Sequence, residues 1–317
     1  MKIKLQYYFG GFLGIIFVVL VVLAVFFWAA PATFPVGSMF SLKNGSGLTK
    51  LSQELSSHNL IKSEFWFKTF VVLFSGSKGI KAGDYVLSLK QNVITLAKRF
   101  TNGEFDLVPV KITFPEGLNI FEMAKIISGK FTKINSADFI TQASSAEGYL
   151  FPDTYLFLPN VSSEEIIRVM KDNFQKRILT LDPQIKSFNK PLFDIIKIAS
   201  IVEEEARTDE SRRIVAGILW KRLSINMPLQ VDSSFKYING KTTSNLTLDD
   251  LKIDSPYNSY IHKGLPPTPI SNPGLASISA TVTPIKTDYL YFLSDKIGNM
   301  HYAKTYAEHL RNKELYL

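Results

Sequence analysis

The sequence predicts an α+β protein: an N-terminal transmembrane helix, then a small module, then a larger domain of mixed strands and helices. Three observations predict it. Residues 9–30 form a 22-residue stretch without one charged side chain. Short alternating segments interleave with short helical ones from residue 48 onward, as expected of small packed layers. No repeated strand–helix–strand order runs through the remainder, which argues against a doubly wound sheet.

Residues 1–8 carry Lys2 and Lys4 and read as a cytoplasmic tail. A helix over 9–30 would reach about 33 Å, enough for a hydrocarbon core of about 30 Å. The competing reading is a cleaved signal peptide. Its apolar part would normally run about 7–15 residues, and Pro31 is a poor residue to follow a cut. The expectation is a retained single-pass anchor in the inner (cytoplasmic) membrane, with everything after it extracytoplasmic.

Residues 31–46 are rich in Pro, Gly and Ser and read as a linker. A module follows over 47–108. Leu48, Leu51, Leu55 and Leu60 have helical spacing, a second apolar helix begins at Ser63, residues 81–89 alternate like a strand, and 93–100 look helical. The larger domain spans 109–317. It opens with a strand over 108–114 that stops at Pro115-Glu116-Gly117, followed by a short helix over 120–127.

Composition excludes several chemistries. The chain has 317 residues, 46% hydrophobic and 20% charged, which suits one or two globular cores. It has no Cys, hence no disulfide, thiolate metal site or Cys nucleophile. Its four histidines (His58, His262, His301 and His309) show no H-E-x-x-H spacing, so neither metal nor other cofactor is expected. The net charge of +8 suits an anionic partner, yet no nucleic-acid motif is present, and no nucleic acid is expected as partner. G-x-S-x-G, phosphate-loop and dinucleotide fingerprints are lacking too.

The segment P-L-F-D-I-I-K-I-A-S-I-V-E-E-E-A, residues 191–206, carries the most chemistry. On a helix at about 100° per residue, Leu192, Ile195, Ile196, Ala199, Val202 and Ala206 share one apolar arc. Glu203 falls inside that arc, and Glu204 and Glu205 fall outside it. Apolar burial disfavours a charged carboxylate, so Glu203 is expected to keep its proton near neutral pH, as a proton donor to a glycosidic bond must. The other reading of these residues is a solvated helix end with Glu203 at the edge of the stripe.

Three further segments stand out. E-G-Y-L-F-P-D-T-Y-L-F, residues 147–157, offers rings and acids that suit a sugar, or else a Pro-bent strand whose rings fill the core. Residues 255–274 hold five prolines and two glycines, which exclude regular helix and central strand and leave a stiff loop, functional or a structural clamp. L-Q-V-D-S-S, residues 229–234, supplies Gln230 and Asp232 as polar contacts. His301, beside the expected strand over 289–293, reads as structural.

Together these segments resemble the YceG-like family of endolytic murein transglycosylases. E-G-Y-L-F-P-D-T-Y matches that family's motif. A-S-I-V-E-E-E resembles its A-S-I-V-E-K-E, with Glu204 in place of Lys. L-Q-V-D-S-S resembles L-Q-T-D-P-T, departing at Val231 and Ser233. S-P-Y-N-S-Y and K-G-L-P-P-T-P-I-S-N-P-G follow the family pattern, as do Y-L-Y-F-L-S-D and the residues around His301. More loosely, K-A-G-D-Y-V-L and P-E-G-L-N-I-F-E-M-A make the first module look LysM-like.

The resemblance implies cleavage of the β-1,4 bond between N-acetylmuramic acid and N-acetylglucosamine, leaving 1,6-anhydromuramyl ends. It implies Glu203 as acid and base, and glycan strands as partner, with peptidoglycan synthases as further candidates. Gln230, Asp232, Tyr257, Asn258 and Asn272 are the expected saccharide contacts. Two alternatives remain open at this point. A hydrolysing muramidase would need a second acid, such as Asp153, Asp232 or Asp254, about 5–9 Å from Glu203. A non-catalytic glycan-binding scaffold would tolerate loss of Glu203.

Overall fold

A computed structural model describes residues 15, 17–19, 21–22, 25–75, 79–131 and 133–317. The chain divides into two compact units, Met1–Val108 and Pro109–Leu317. The fold is mixed α+β in both.

One part of the expected architecture is corrected. Among the described residues no helix is long and apolar enough to cross a membrane. A span needs about 20 consecutive helical residues, and no described helix reaches that length with the required apolarity. The remaining positions of 9–30 lie outside the described residues. The transmembrane helix and the single-pass inner-membrane placement are therefore withdrawn.

The first unit pairs strands β1 (Met39–Leu42) and β2 (Gly83–Val86) antiparallel, with Met39 opposite Val86 and Leu42 opposite Gly83. Helices α1 (Leu48–Ser57) and α2 (Glu64–Ser75) lie between them in sequence, and α3 (Val93–Asn102) follows. The apolar spacing of α1 brings Leu51 and Leu55 into a core with Phe67, Val71, Tyr85, Leu96 and Phe100. Asn92 caps α3 by accepting from the Thr95 amide, and Gly103 ends it in the left-handed conformation. Arg99 is buried by donating to the carbonyls of Val86 and Glu104 and pairing with Asp106 at 3.0 Å.

The second unit opens with β3 (Val110–Thr113), paired antiparallel with β4 (Thr154–Phe157). Helices α4 (Ile120–Lys130) and α5 (Ser136–Ala143) lie between them, each capped by an asparagine, Asn119 and Asn135. Then come α6 (Ser163–Ile178), α7 (Asp182–Phe188), α8 (Leu192–Glu205), α9 (Asp209–Ser224) and α10 (Ser234–Asn239). Residues 255–274 contain neither helix nor strand, as five prolines require. The chain closes with α11 (Leu275–Val282), the antiparallel pair β5 (Tyr291–Ser294) and β6 (Met300–Ala303), and α12 (Tyr306–Tyr316).

Helix α8 is the centre of this unit. Every residue from Ile195 to Val202 is buried, where the sequence predicted a single apolar arc. Ile195, Ile196 and Ala199 pack with Phe174, Ile278 and Val282. Ile198, Ile201 and Val202 face the other way, against Val215, Leu219 and Leu229. A helix apolar on all sides belongs inside a protein. Its one buried hydroxyl, Ser200, is used to pin the proline-rich loop: it accepts from the Ile270 amide at 3.1 Å, and its carbonyl accepts from Ser271 Oγ at 3.1 Å.

Candidate functional site

The site forms where α8 turns into α9. Helix α8 ends at Ala206, which is extended, and Thr208 begins α9 with a reciprocal capping box to Ser211. So short a connection sets the last turn of α8 beside the first turn of α9. Glu203 and Arg212 meet there, Arg212 Nη2 donating to Glu203 Oε1 at 3.1 Å. The other carboxylate oxygen accepts from the Gly274 amide at 2.8 Å, at the N-terminal end of α11.

The side chain of Glu203 is 6% exposed. It is therefore sheltered, but the purely apolar pocket read from the helical pattern is not what surrounds it. Both oxygens have polar partners. Arg212 also keeps its Nε–H buried without an acceptor among the described residues, a donor still open to a bound oxygen.

A strap made by Pro115-Glu116-Gly117 crosses this carboxylate. Gly117 has φ +80°, and a Cβ there would lie 2.7 Å from Glu204 Oε1 and 3.6 Å from Glu203 Cγ. Only glycine takes this conformation without strain and allows so close an approach. The Gly117 amide donates to the Asn272 carbonyl at 3.0 Å, and Lys236 Nζ donates to the Gly117 carbonyl at 3.2 Å.

Lys236, from α10, also holds Glu204 at 3.2 Å and Glu122 at 3.3 Å. Burial raises the proton affinity of Glu204, opposed by Lys236. Burial likewise pushes Glu205 up to about 7, opposed by its bonds with Ser233.

Glu116 is the residue that sequence reasoning passed over. It is exposed, yet its carboxyl lies directly over Gly274: a Cβ on Gly274 would come 1.8 Å from Glu116 Oε1. With standard backbone lengths, the Glu116 and Glu203 carboxyls are no more than about 7 Å apart. Although exposed, Glu116 is partly desolvated by the neighbouring chain, which raises its proton affinity; the charge of Glu203 raises it further, and Arg212 opposes. The only signal in the sequence was a turn after a strand.

The expected saccharide contacts separate into two groups. Asn272 is fully buried. Its Oδ1 accepts from the Gly148 and Leu150 amides, both at 2.9 Å, and its Nδ2 donates to Leu118 O at 3.0 Å and Glu147 Oε1 at 2.8 Å. Asn258 is equally buried, donating to the Leu251 and Ile253 carbonyls and accepting from the Tyr260 amide. Both asparagines spend their side chains on the fold.

The others are more accessible. Gln230 is exposed in the left-handed conformation, with φ 47°. Asp232 accepts from Tyr260 Oη at 2.5 Å. Tyr257 bonds Thr268 Oγ1 at 2.8 Å and packs on Tyr237. It also lines a cavity of about 310 Å³ with Lys197, Ile201, His262 and Lys263. That cavity lies on the side of α8 turned away from Glu203, since helix positions two apart diverge by about 200°. It contains no carboxyl, so the acid chemistry does not lie there.

The acids considered as a second carboxyl have other partners. Asp153 pairs with Arg177 at 2.8 Å, and Asp254 faces His262 at 3.4 Å. His301 stacks on Tyr316 and bonds Asp295. Glu147, from the E-G-Y-L-F-P motif, is buried and pushed up to about 8 by burial, against the hydrogen bonds from Ile120 and Asn272.

The chain is similar to several known proteins. A model of the YceG-like family matches residues 40–315. An endolytic murein transglycosylase of Bacillus subtilis is 32% identical over 304 residues, covering 87% of this chain and 84% of that protein. One from Streptococcus pneumoniae is 30% identical over 86% of this chain, which spans only 57% of its length. The crystal structure of a yceG-like protein from Listeria monocytogenes superposes with a TM-score of 0.59 at 30% identity, covering 86% of this chain and 98% of that one. The transmembrane, single-pass and LysM-like descriptions gain no support from these matches. With nearly its whole length matched, the chain belongs to the YceG-like family.

Proposed function

We propose that this chain is a peptidoglycan lytic transglycosylase. It cleaves the β-1,4 bond between N-acetylmuramic acid and N-acetylglucosamine in nascent glycan strands, leaves 1,6-anhydromuramyl ends, and so terminates strand elongation. The observation that carries this reading is the sheltered carboxylate of Glu203, gathered with Arg212, the Gly274 amide and the Glu116 strap in a chain whose relatives are named endolytic murein transglycosylases.

Glu203 serves first as acid and then as base. A proton passes to the glycosidic oxygen as the bond breaks through an oxocarbenium-like state. The carboxylate then takes the proton of the muramyl 6-hydroxyl, whose oxygen closes on the anomeric carbon. The second nucleophile belongs to the substrate, so no activated water is required. Gln230 and Asp232 are the residues we assign to saccharide contact, with Tyr257 a more distant contact, and Asn258 and Asn272 shape the 255–274 loop. No cofactor enters the scheme, and peptidoglycan synthases are natural partners for an enzyme acting on nascent strands.

Glu203→Gln tests the reading on purified uncrosslinked glycan. The variant should bind strands and release almost no anhydro ends, a loss of about 10²–10⁴-fold. Wild-type turnover by the variant would end the assignment and favour a scaffold. Mass spectrometry of the wild-type products separates anhydro ends from the reducing ends of a hydrolysing muramidase by one water.

A further inference from the structure

Both oxygens of Glu203 already accept hydrogen bonds, from Arg212 and from the Gly274 amide. A group held in this way is well placed as a base, and the proton for the first step must be kept close by. The nearest carboxyl across Gly274 is Glu116, exposed at the rim where Glu203 is sheltered beneath. We propose that Glu116 is the proton partner of Glu203: the two carboxyls flanking Gly274 hold one proton between them, and Glu116 acts through Glu203 as a positioning residue. The proposal rests on the transglycosylase reading and refines it.

The proton balance is complete. One proton leaves the pair for the glycosidic oxygen as the bond from the anomeric carbon to that oxygen breaks. One proton returns from the muramyl 6-hydroxyl as its oxygen bonds the anomeric carbon. The pair holds one proton before and after, and no co-reactant is consumed. Like charges within about 7 Å oppose each other's ionisation, and the Glu203 charge raises the proton affinity of Glu116. The charged groups around them are Arg212 from α9, which favours ionisation, and Glu204 from α8 with its partners Lys236 and Glu122. Partial desolvation of Glu116 and the charge of Glu203 act on Glu116 in the same upward direction.

Gly274 gives an independent handle on the same contact. Its φ of −75° suits any residue, so alanine there brings no backbone strain. The added methyl would collide with the Glu116 carboxyl and push it away, while the Gly274 amide bond to Glu203 remains.

The experiment is the pH profile of kcat/KM for release of anhydro ends by the full chain, for wild type, Glu116→Gln, Glu116→Asp, Gly274→Ala and the double variant Glu116→Ala/Gly274→Ala. Removing the Glu116 charge should move the alkaline limb to lower pH. Two unit charges about 7 Å apart, at an effective dielectric between that of water and that of a protein surface, correspond to a shift of about half a unit to two units. Gly274→Ala should move the limb the same way, and Glu116→Asp should move it less. In the Glu116→Ala background, Gly274→Ala should add nothing. The position of the limb does not depend on the fraction of folded enzyme, so a poorly folding variant still reports. An unmoved limb in both Glu116→Gln and Gly274→Ala overturns the proposal, while an inactive Glu203→Gln leaves the transglycosylase reading standing. Normal turnover by Glu203→Gln overturns that reading whatever Glu116 does.

Discussion

Asn272→Ala separates a sugar contact from a structural clamp. The wild-type side chain makes five hydrogen bonds in a site with no solvent exposure, two to backbone amides and one each to a carbonyl, to Glu147 and to the Met123 sulfur. Truncation leaves the Gly148 and Leu150 amides buried without an acceptor, and each such group costs about 1–3 kcal/mol. The Leu118 carbonyl keeps the Asn272 backbone amide at 2.9 Å, so its loss is small. The sum is about 3–5 kcal/mol, among the large effects of single substitutions. For a unit of this size that corresponds to a fall in melting temperature of roughly 6–20 °C. Thermal and urea unfolding of the variant measure it directly. At a temperature where the variant remains folded, KM for glycan should stay within about threefold of wild type. A loss below about 1 kcal/mol together with a tenfold rise in KM would refute this reasoning and return Asn272 to the substrate.

The other predictions concern the strap, the buried acid Glu147 and the lysine that holds the strap. Gly117→Ala imposes a left-handed conformation on alanine and drives its methyl toward Glu204, so unfolding should show a loss of at least about 1 kcal/mol and activity should fall with it. Glu147 is held near 8, above its unfolded value of 4.5. Its contribution is therefore complete below about pH 4.5 and lost as pH rises toward about 8. The urea midpoint of the wild type should fall across that window, and Glu147→Gln should remove part of the slope. An equal slope in the variant would contradict the assignment. Lys236→Met breaks partly buried pairs with Glu204 and Glu122 and frees the Gly117 carbonyl. A cost of about 1–3 kcal/mol, between the exposed-pair and buried-pair ranges, is expected from unfolding measurements.

Local pattern carried much of the second unit. Helical periodicity turned Glu203 inward but set Glu204 and Glu205 outside, whereas all three are partly buried, and proline content made residues 255–274 an irregular loop. The pattern understated α8 itself, because Ile198 and Ile201 are covered by α9 and its neighbours, which lie elsewhere in sequence. It also extended a transmembrane helix over 9–30 that the described residues do not contain.

What the sequence determined by itself was which residue types lie at which helical positions, because the period of a helix is fixed by backbone geometry. The tertiary structure alone decided the rest of the site. Glu116 and Glu203 lie far apart in the chain and come within about 7 Å of each other through a strap tied to Asn272 and Lys236. Asn258 and Asn272, polar residues in an exposed-looking loop, turn inward because buried amides and carbonyls there need partners. Such demands arise from segments brought together by folding, and no local window of sequence contains them.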